Sequence, residues 1–334
     1  MARPRIYVLP SEPLYSQLIT PPVVEVLDSF CDWERNPHGR DLTADEFAQV
    51  AMEFDGVLAS WGKYKVTMDL LSRKPRLRIV AHAAGSIRAL VEPEVLRSGF
   101  TFTNASAGIA PYVAEHALML AIASLRGVGE HVIAMRTART WGSADFKPNR
   151  TLYDATVGLV GLGQVGRCMP PLLAPFRCRV LGYDPYLPHA RAREMGVELV
   201  TLERLLTESL VVSLHAPIIP ETRHMIGAKQ LALMQDGAVL VNTARGWLLD
   251  HQALLAEVKN GRLRAALDVT DPEPLPGESE LREVPGVILT PHIAGPTWDR
   301  RWDMALIAAR DLRAFFAGER PKYVVTYEML ENMA

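Results

Sequence analysis

The stretch Thr156–Arg167, TVGLVGLGQVGR, decides the fold. TVGLV reads as a buried strand, and Gly161, Gly163 and Gly166 follow at the G-x-G-x-x-G spacing of a tight turn that opens into a helix. The first glycine permits the turn. The second lets a pyrophosphate approach the backbone, and the third lets the helix pack on the strand. Free N–H groups at the helix start face the phosphates, which adds Gln164 and Val165 to the candidate cofactor residues. The run VLGYDPY supplies a second strand ending at Asp184. A carboxylate there accepts hydrogen bonds from adenosine ribose hydroxyls and repels a 2′-phosphate, favouring NAD, although Arg191 and Arg193 keep NADP open. Pro170 and Pro171 fall inside the helical pattern and Pro175 follows. An interior proline costs about 3 kcal/mol, so a kinked or restarted helix is expected after Cys168.

Outward from this turn, short apolar runs alternate with amphipathic stretches, the signature of a parallel α/β sheet. Downstream strands are expected at Val180–Tyr183, Leu210–Leu214, Ala238–Val241, Ala265–Leu267 and Val287–Leu289. They are apolar throughout, as strands covered on both faces must be. Upstream, a separate series holds strands at Ile6–Leu9, Val57–Ser60, Leu77–Ala81 and Phe100–Thr103, with helices at Ala44–Phe54 and Val66–Ser72. A long helical pattern covers about Tyr112–Arg136, with Pro111 in its tolerant first turn, and a last one covers about Trp298–Ala317. Two α/β domains follow.

Bulk properties narrow the function classes. The 334 residues are 49% hydrophobic and 22% charged, with 36 Lys plus Arg against 38 Asp plus Glu. This near-neutral balance predicts neither a nucleic-acid nor an anionic-membrane partner. No apolar run reaches the roughly 18 residues of a membrane helix, and the N-terminus has no signal core. Cys31, Cys168 and Cys178 suit a reducing cytoplasm, and no cluster with metal-ligand spacing surrounds them, so no metal is expected.

Three late segments place polar residues at the ends of apolar strands: NTARGWLLD with Arg245, ALDVTDPEPLP with Asp268 and Glu273, and LTPHIAG with His292. In an open parallel sheet those carboxyl ends line the ligand crevice. A planar guanidinium can hold two adjacent oxygens at once. Histidine is the side chain whose ordinary pKa suits proton transfer at neutral pH, and a carboxylate beside it favours the charged ring.

Together the segments VAEHALML, GLGQVG, GYDP, SLHAP, PETRHMIG, NTARG, LDV, the EP pair and TPHIAG resemble the D-isomer-specific 2-hydroxyacid dehydrogenases. The resemblance is densest from Val113 to Gly295. It implies two doubly wound parallel-sheet domains, a Rossmann NAD-binding domain (109–297) inserted into a flavodoxin-like substrate-binding domain (1–108 and 298–334). It implies hydride exchange between NAD(H) and C2 of a small 2-hydroxy or 2-keto acid, and a homodimer paired through the NAD domains. Arg245 would bind substrate, and His292 would be the acid and base, assisted by Glu273. Asp268 would hydrogen-bond the nicotinamide carboxamide, Thr243 and Ala244 would meet that ring by backbone, and His215, Ala216 and Gly295 would lie near the cofactor. His116, by contrast, reads as a packed helix residue.

The first domain departs from the family. Its AHAAGSIRALVEP segment keeps Ala84 and Gly85, whose N–H groups would hold the substrate carboxylate, but has Arg88 where an aspartate is usual. His82 falls close to the pocket, and Trp61, in SWGKY, occupies the neighbouring substrate loop unless it is a core aromatic. Glutamate at position 273 sets formate dehydrogenases aside, and the end of the chain about fifteen residues after the last expected helix sets aside the long phosphoglycerate dehydrogenases. A non-catalytic NAD(H) sensor and a phosphite-type dehydrogenase remain as alternatives.

Overall fold

A computed structural model describes residues 3–137, 141 and 149–331. The chain divides into two compact units, Met1–Ile109 with Pro296–Ala334, and Ala110–Gly295.

The first unit holds five parallel strands, β1 (Arg5–Val8), β2 (Asp32–Arg35), β3 (Gly56–Ala59), β4 (Ile79–His82) and β5 (Thr101–Asn104), in the order β2-β1-β3-β4-β5. This is the flavodoxin-like winding, whose order reverses beside β1. Alternate residues feed opposite cores. Ile6, Val8, Leu58, Ile79 and Ala81 pack beneath the Trp302–Phe316 helix through Met304, Ala308 and Leu312. Tyr7, Val57, Val80 and Phe102 fill the other face with Phe47 and Phe54. Strand β2 escapes the sequence pattern because DWER is an edge strand with mostly exposed side chains.

The second unit holds seven parallel strands, β6 (Thr156–Val160), β7 (Arg179–Tyr183), β8 (Glu198–Leu199), β9 (Val211–Leu214), β10 (Val239–Asn242), β11 (Arg264–Leu267) and β12 (Val287–Leu289). Their order, β12-β11-β10-β9-β6-β7-β8, is the Rossmann arrangement with its reversal between β6 and β9. The two-residue edge strand β8 carries too little pattern to be foreseen.

The helix after the glycine turn is broken as expected, into a 3₁₀ turn at Gly166–Cys168, a short α-helix at Met169–Leu173 and a second 3₁₀ turn at Ala174–Phe176. The single helix expected over Tyr112–Arg136 is corrected. The structure has two helices, Ser106–Leu125 and Val128–Thr137, so Pro111 is interior rather than in the first turn. Gly127, with φ +63°, separates them, a conformation that costs other residues strain. By length and composition the Ser106–Leu125 helix could cross a membrane, contrary to the expectation from the sequence. Its Ala114, Ala117, Leu120 and Leu125 instead pack against Val157, Leu159 and Val241 of the second sheet. Arg264 ties its end down, donating to the Ser124 and Leu125 carbonyls at 3.2 and 3.3 Å and facing Glu130 at 3.3 Å.

Two histidines at strand ends are held neutral. His82 is 2% exposed and its Nδ1 pairs with the Tyr64 hydroxyl at 2.9 Å, while His215 lies beyond β9. Burial pushes both imidazoles down to about 4. The unfolded chain binds those protons near pH 6.5 and the folded chain does not, so stability falls as pH drops from about 6.5 to about 4. Calorimetry between pH 7 and pH 5 should show a fall in Tm that is shallower in His82→Asn; equal slopes would contradict a neutral buried His82.

Candidate active site

The glycine turn leaves β6 at the point where strand order reverses, which is where an open α/β sheet opens a crevice. Gly161 has φ +92°, and a Cβ there would lie 2.7 Å from the Ala216 backbone nitrogen and 2.8 Å from the His215 carbonyl carbon. A Cβ on Gly166 would stand 2.2 Å from the Gly161 oxygen. Both positions exclude a side chain for the turn's own sake. Gly163 differs, because a Cβ there would meet nothing within 4 Å and would fill open space above the turn. Among the described residues, none accepts from the N–H groups of Gly163, Gln164 or Val165. Exposed N–H groups beside a cradle kept clear by glycine suit a pyrophosphate. Asp184 Oδ2 accepts from the Leu162 N–H and Oδ1 from the Tyr186 N–H, both at 2.9 Å. The carboxylate therefore also fastens the turn to the end of β7.

The neighbouring strand ends offer further polar atoms. His215 Nε2 pairs with the Ser213 hydroxyl at 3.0 Å, but its Nδ1 and the Thr243 hydroxyl are buried without a partner among the described residues. Such orphaned atoms are costly unless something meets them. Together with the open cradle, these groups fit a dinucleotide.

Beyond β10 the NTAR turn is built by a residue that sequence reasoning passed over. Fully buried Asn242 accepts from the Ala244 N–H at 3.0 Å and donates to the Arg245 carbonyl at 2.9 Å. An amide that both donates and accepts beside a tight turn is the signal that could have found it. Arg245, half-buried, donates to the Ala244 carbonyl at 2.6 Å. Burial lowers its pKa and the charge of Glu273 raises it, so the guanidinium lies within the field of that carboxylate. It stays charged at any working pH.

Glu273 also reaches His292, with its Oε1 2.5 Å from the ring Nδ1, and both side chains are partly exposed. A carboxylate only accepts, so Nδ1 carries the proton and Nε2 is left to exchange one. The histidine sits in a left-handed conformation, φ +54°, uncommon for a residue with a side chain. Its N–H donates to the carbonyls of Asp268 and Thr290 at 2.9 and 3.1 Å.

The strap Thr290–Ala294 wraps the Asp268 carboxylate. Oδ1 accepts from the Thr290 hydroxyl at 2.5 Å and the Ile293 N–H at 2.9 Å, and Oδ2 accepts from the Ala294 N–H at 2.9 Å. The Asp268 side chain has 0% exposure. The family resemblance points it at a cofactor; in the structure its charge is met by the strap, an arrangement that pattern cannot reveal because two of the three donors are backbone groups. Gly295 follows the strap, half-buried, with open space where a Cβ would stand.

In the first unit, neither the Ala84 nor the Gly85 N–H finds an acceptor among the described residues. Ser60 donates to the Ala83 carbonyl at 2.9 Å and so joins this loop to the one bearing Trp61. Trp61 is 47% exposed with the Arg301 guanidinium 5.6 Å from its ring centre, which excludes a core role. His82 is enclosed beneath the loop rather than open to it. Among the described residues no group of three or more acidic, histidine or cysteine side chains could hold a metal.

A parallel Rossmann sheet with a glycine cradle at its reversal and an Arg, Glu and His set at its carboxyl edge defines a dinucleotide-binding oxidoreductase domain. The family model "D-isomer specific 2-hydroxyacid dehydrogenase, NAD binding domain" matches residues 118–294, and the chain belongs to that family, with NAD as its cofactor. It is 36% identical over 271 residues to a glyoxylate reductase of Korarchaeum cryptofilum, covering 80% of this chain and 81% of that one. It is 32% identical over 286 residues to a D-3-phosphoglycerate dehydrogenase of Methanocaldococcus jannaschii, covering 85% of this chain but 54% of that one, so the chain spans about half the length of that relative. The D-lactate dehydrogenase of Lactobacillus jensenii solved with NAD+ superposes with a TM-score of 0.82 at 25% identity, covering 96% and 99% of the two chains.

The glycines separate folding from binding. Gly163→Ala should keep the wild-type Tm and weaken NADH binding at least ~10-fold by fluorescence titration, whereas Gly166→Ala should lower Tm by several degrees. Unimpaired NADH affinity in Gly163→Ala would place the pyrophosphate elsewhere.

Proposed function

We propose that this protein interconverts a small 2-keto acid and the matching D-2-hydroxy acid with NAD(H). The observation that carries the reading is the Glu273–His292 pair at 2.5 Å, within whose field Arg245 lies, at the carboxyl edge of the NAD-binding sheet. NAD, when bound, supplies or takes up the hydride at C2; the remaining work falls to side chains. The Arg245 guanidinium binds a carboxylate oxygen and the adjacent carbonyl oxygen, orienting and polarising the substrate. His292 holds a proton on Nε2 and passes it to the oxygen on which charge develops during reduction. In oxidation neutral Nε2 takes the hydroxyl proton. Glu273 holds the Nδ1–H, fixes the ring and offsets the imidazolium charge.

The cofactor would be held by the Gly161, Gly163 and Gly166 turn with Gln164 and Val165, by Asp184 at the ribose, and by the edges at His215–Ala216, Thr243–Ala244 and Gly295. The unit formed by residues 1–109 and 296–334 would bind substrate through the Ala84 and Gly85 N–H groups, with Trp61 at its edge. The relatives named for glyoxylate and 3-phosphoglycerate support a small acid. The near-neutral composition and unpaired thiols support a cytoplasmic protein.

NADH oxidation with glyoxylate, hydroxypyruvate, pyruvate and bulkier 2-keto acids tests the reading. Turnover of at least one acid is expected, with kcat reduced ~10³-fold in His292→Ala and about tenfold in Glu273→Gln, and KM raised in Arg245→Ala. Turnover that survives His292→Ala would overturn the assignment.

A homodimer through the NAD-binding unit belongs to the same proposal. Met119, Val128, Val132, Ile133 and Met135 are each 43–53% exposed on consecutive helices, a run of exposed apolar side chains of the kind a partner covers. Light scattering should give twice the 37.0 kDa chain mass, and Ile133→Glu with Val132→Glu should give a monomer.

A further inference from the structure

We propose that His116 is a positioning residue for His292, acting through Thr290 and Asp268; this rests on the reading of His292 as the acid and base. His116 lies in the Ser106–Leu125 helix, away from the motifs of the site, and its side chain is 14% exposed. Its Nε2 stands 3.4 Å from the Thr290 hydroxyl oxygen and 3.7 Å from Asp268 Oδ1. The Thr290 hydroxyl spends its proton on Asp268 Oδ1 at 2.5 Å. The hydroxyl oxygen can then only accept, so His116 Nε2 carries a proton and donates it.

The three side chains form one network around a carboxylate with no exposed surface. That carboxylate also accepts from the N–H groups of Ile293 and Ala294, and the Asp268 carbonyl accepts from the His292 N–H. Every residue of the strap except Pro291 is therefore fastened to Asp268. Such over-determination is what holds His292 at φ +54°, a conformation that a loose loop would leave. By donating to the Thr290 oxygen, His116 fixes the hydroxyl that points its proton at Oδ1, and so fixes the carboxylate's rotation, which sets where the strap N–H groups must lie.

The placement in the chain adds weight. The helix carrying His116 is where the chain passes from the first unit to the second, between Ile109 and Ala110. The strap is followed by Gly295 and Pro296, where it passes back. His116 thus joins the outgoing segment to the start of the strap that bears the residue proposed for proton transfer. A packed helix histidine need not meet any polar atom; this one meets the two that orient the strap.

The test compares the full-length wild type with His116→Leu, which removes the donor, and His116→Gln, which restores an N–H at similar reach. Long-range ¹H–¹⁵N correlations of the histidine rings read the His292 tautomer without turnover. Steady-state kinetics with glyoxylate and NADH read kcat and KM. In His116→Leu the Nδ1-protonated form of His292 should give way to a mixture, with kcat down about tenfold while KM and NADH affinity change less than ~2-fold, and His116→Gln should recover both. An unchanged tautomer and kcat in His116→Leu would overturn the proposal, as would a loss that tracks Tm and is not recovered by glutamine. If His116→Leu does not fold, His116→Phe removes the same donor while keeping a packed ring and is read the same way. A wild type that turns over none of the keto acids would sink the proposed reaction, while the ring spectra would still decide the part played by His116.

Discussion

A carboxylate without exposed surface must have its charge met by donors, and at Asp268 those donors are the strap that carries His292. The carboxyl edge of the second sheet depends on this arrangement. The end of β11 supplies the charge, and the segment after β12 supplies the N–H groups. Because the two strands are neighbours in parallel register, the carboxylate and the strap meet with little loop between them. His292 inherits its position from that meeting, and Glu273 then needs only to reach the ring's Nδ1.

The cofactor edge rests on a different constraint, close approach. The glycine turn lies so near the Ala216 nitrogen and its own Gly161 carbonyl that Cβ atoms on Gly161 and Gly166 would collide with backbone. The reversal of strand order between β6 and β9 puts this turn and the His215–Ala216 segment side by side. Among the described residues, the same neighbourhood leaves donors without acceptors in the turn, and the His215 Nδ1 and Thr243 hydroxyl buried without partners beside it. In each case local packing is complete while local polarity is not, as befits a surface that closes around a charged ligand.

Much of this is legible along the chain. Runs such as TVGLV, VVSL and VLVN are mostly apolar because helices cover both sheet faces, and that pattern is carried by the residues themselves. The glycine spacing, Asp184, Arg245 and His292 are visible because each stands just past a strand end, whereas Glu273, well beyond the end of β11, is picked out by the family resemblance. The exposed edge strand β2, the break at Gly127 and the early start of the Ser106–Leu125 helix are not. Edge strands lack an apolar run, and a helix buried along much of its length has no clean polar face to mark its limits.

The amino-acid sequence by itself determined the α/β class, the two series of strands, the dinucleotide turn and the types of side chain available for proton transfer. Each depends on local spacing and on the chemistry of single residues. Only the tertiary structure decided that Asp268 anchors the strap, that Asn242 builds the NTAR turn, that His82 is enclosed against Tyr64, and that His116 meets Thr290 across 174 residues of chain. Those are hydrogen bonds between distant segments or to backbone groups, and their partners are chosen by strand order and register rather than by any pattern along the chain.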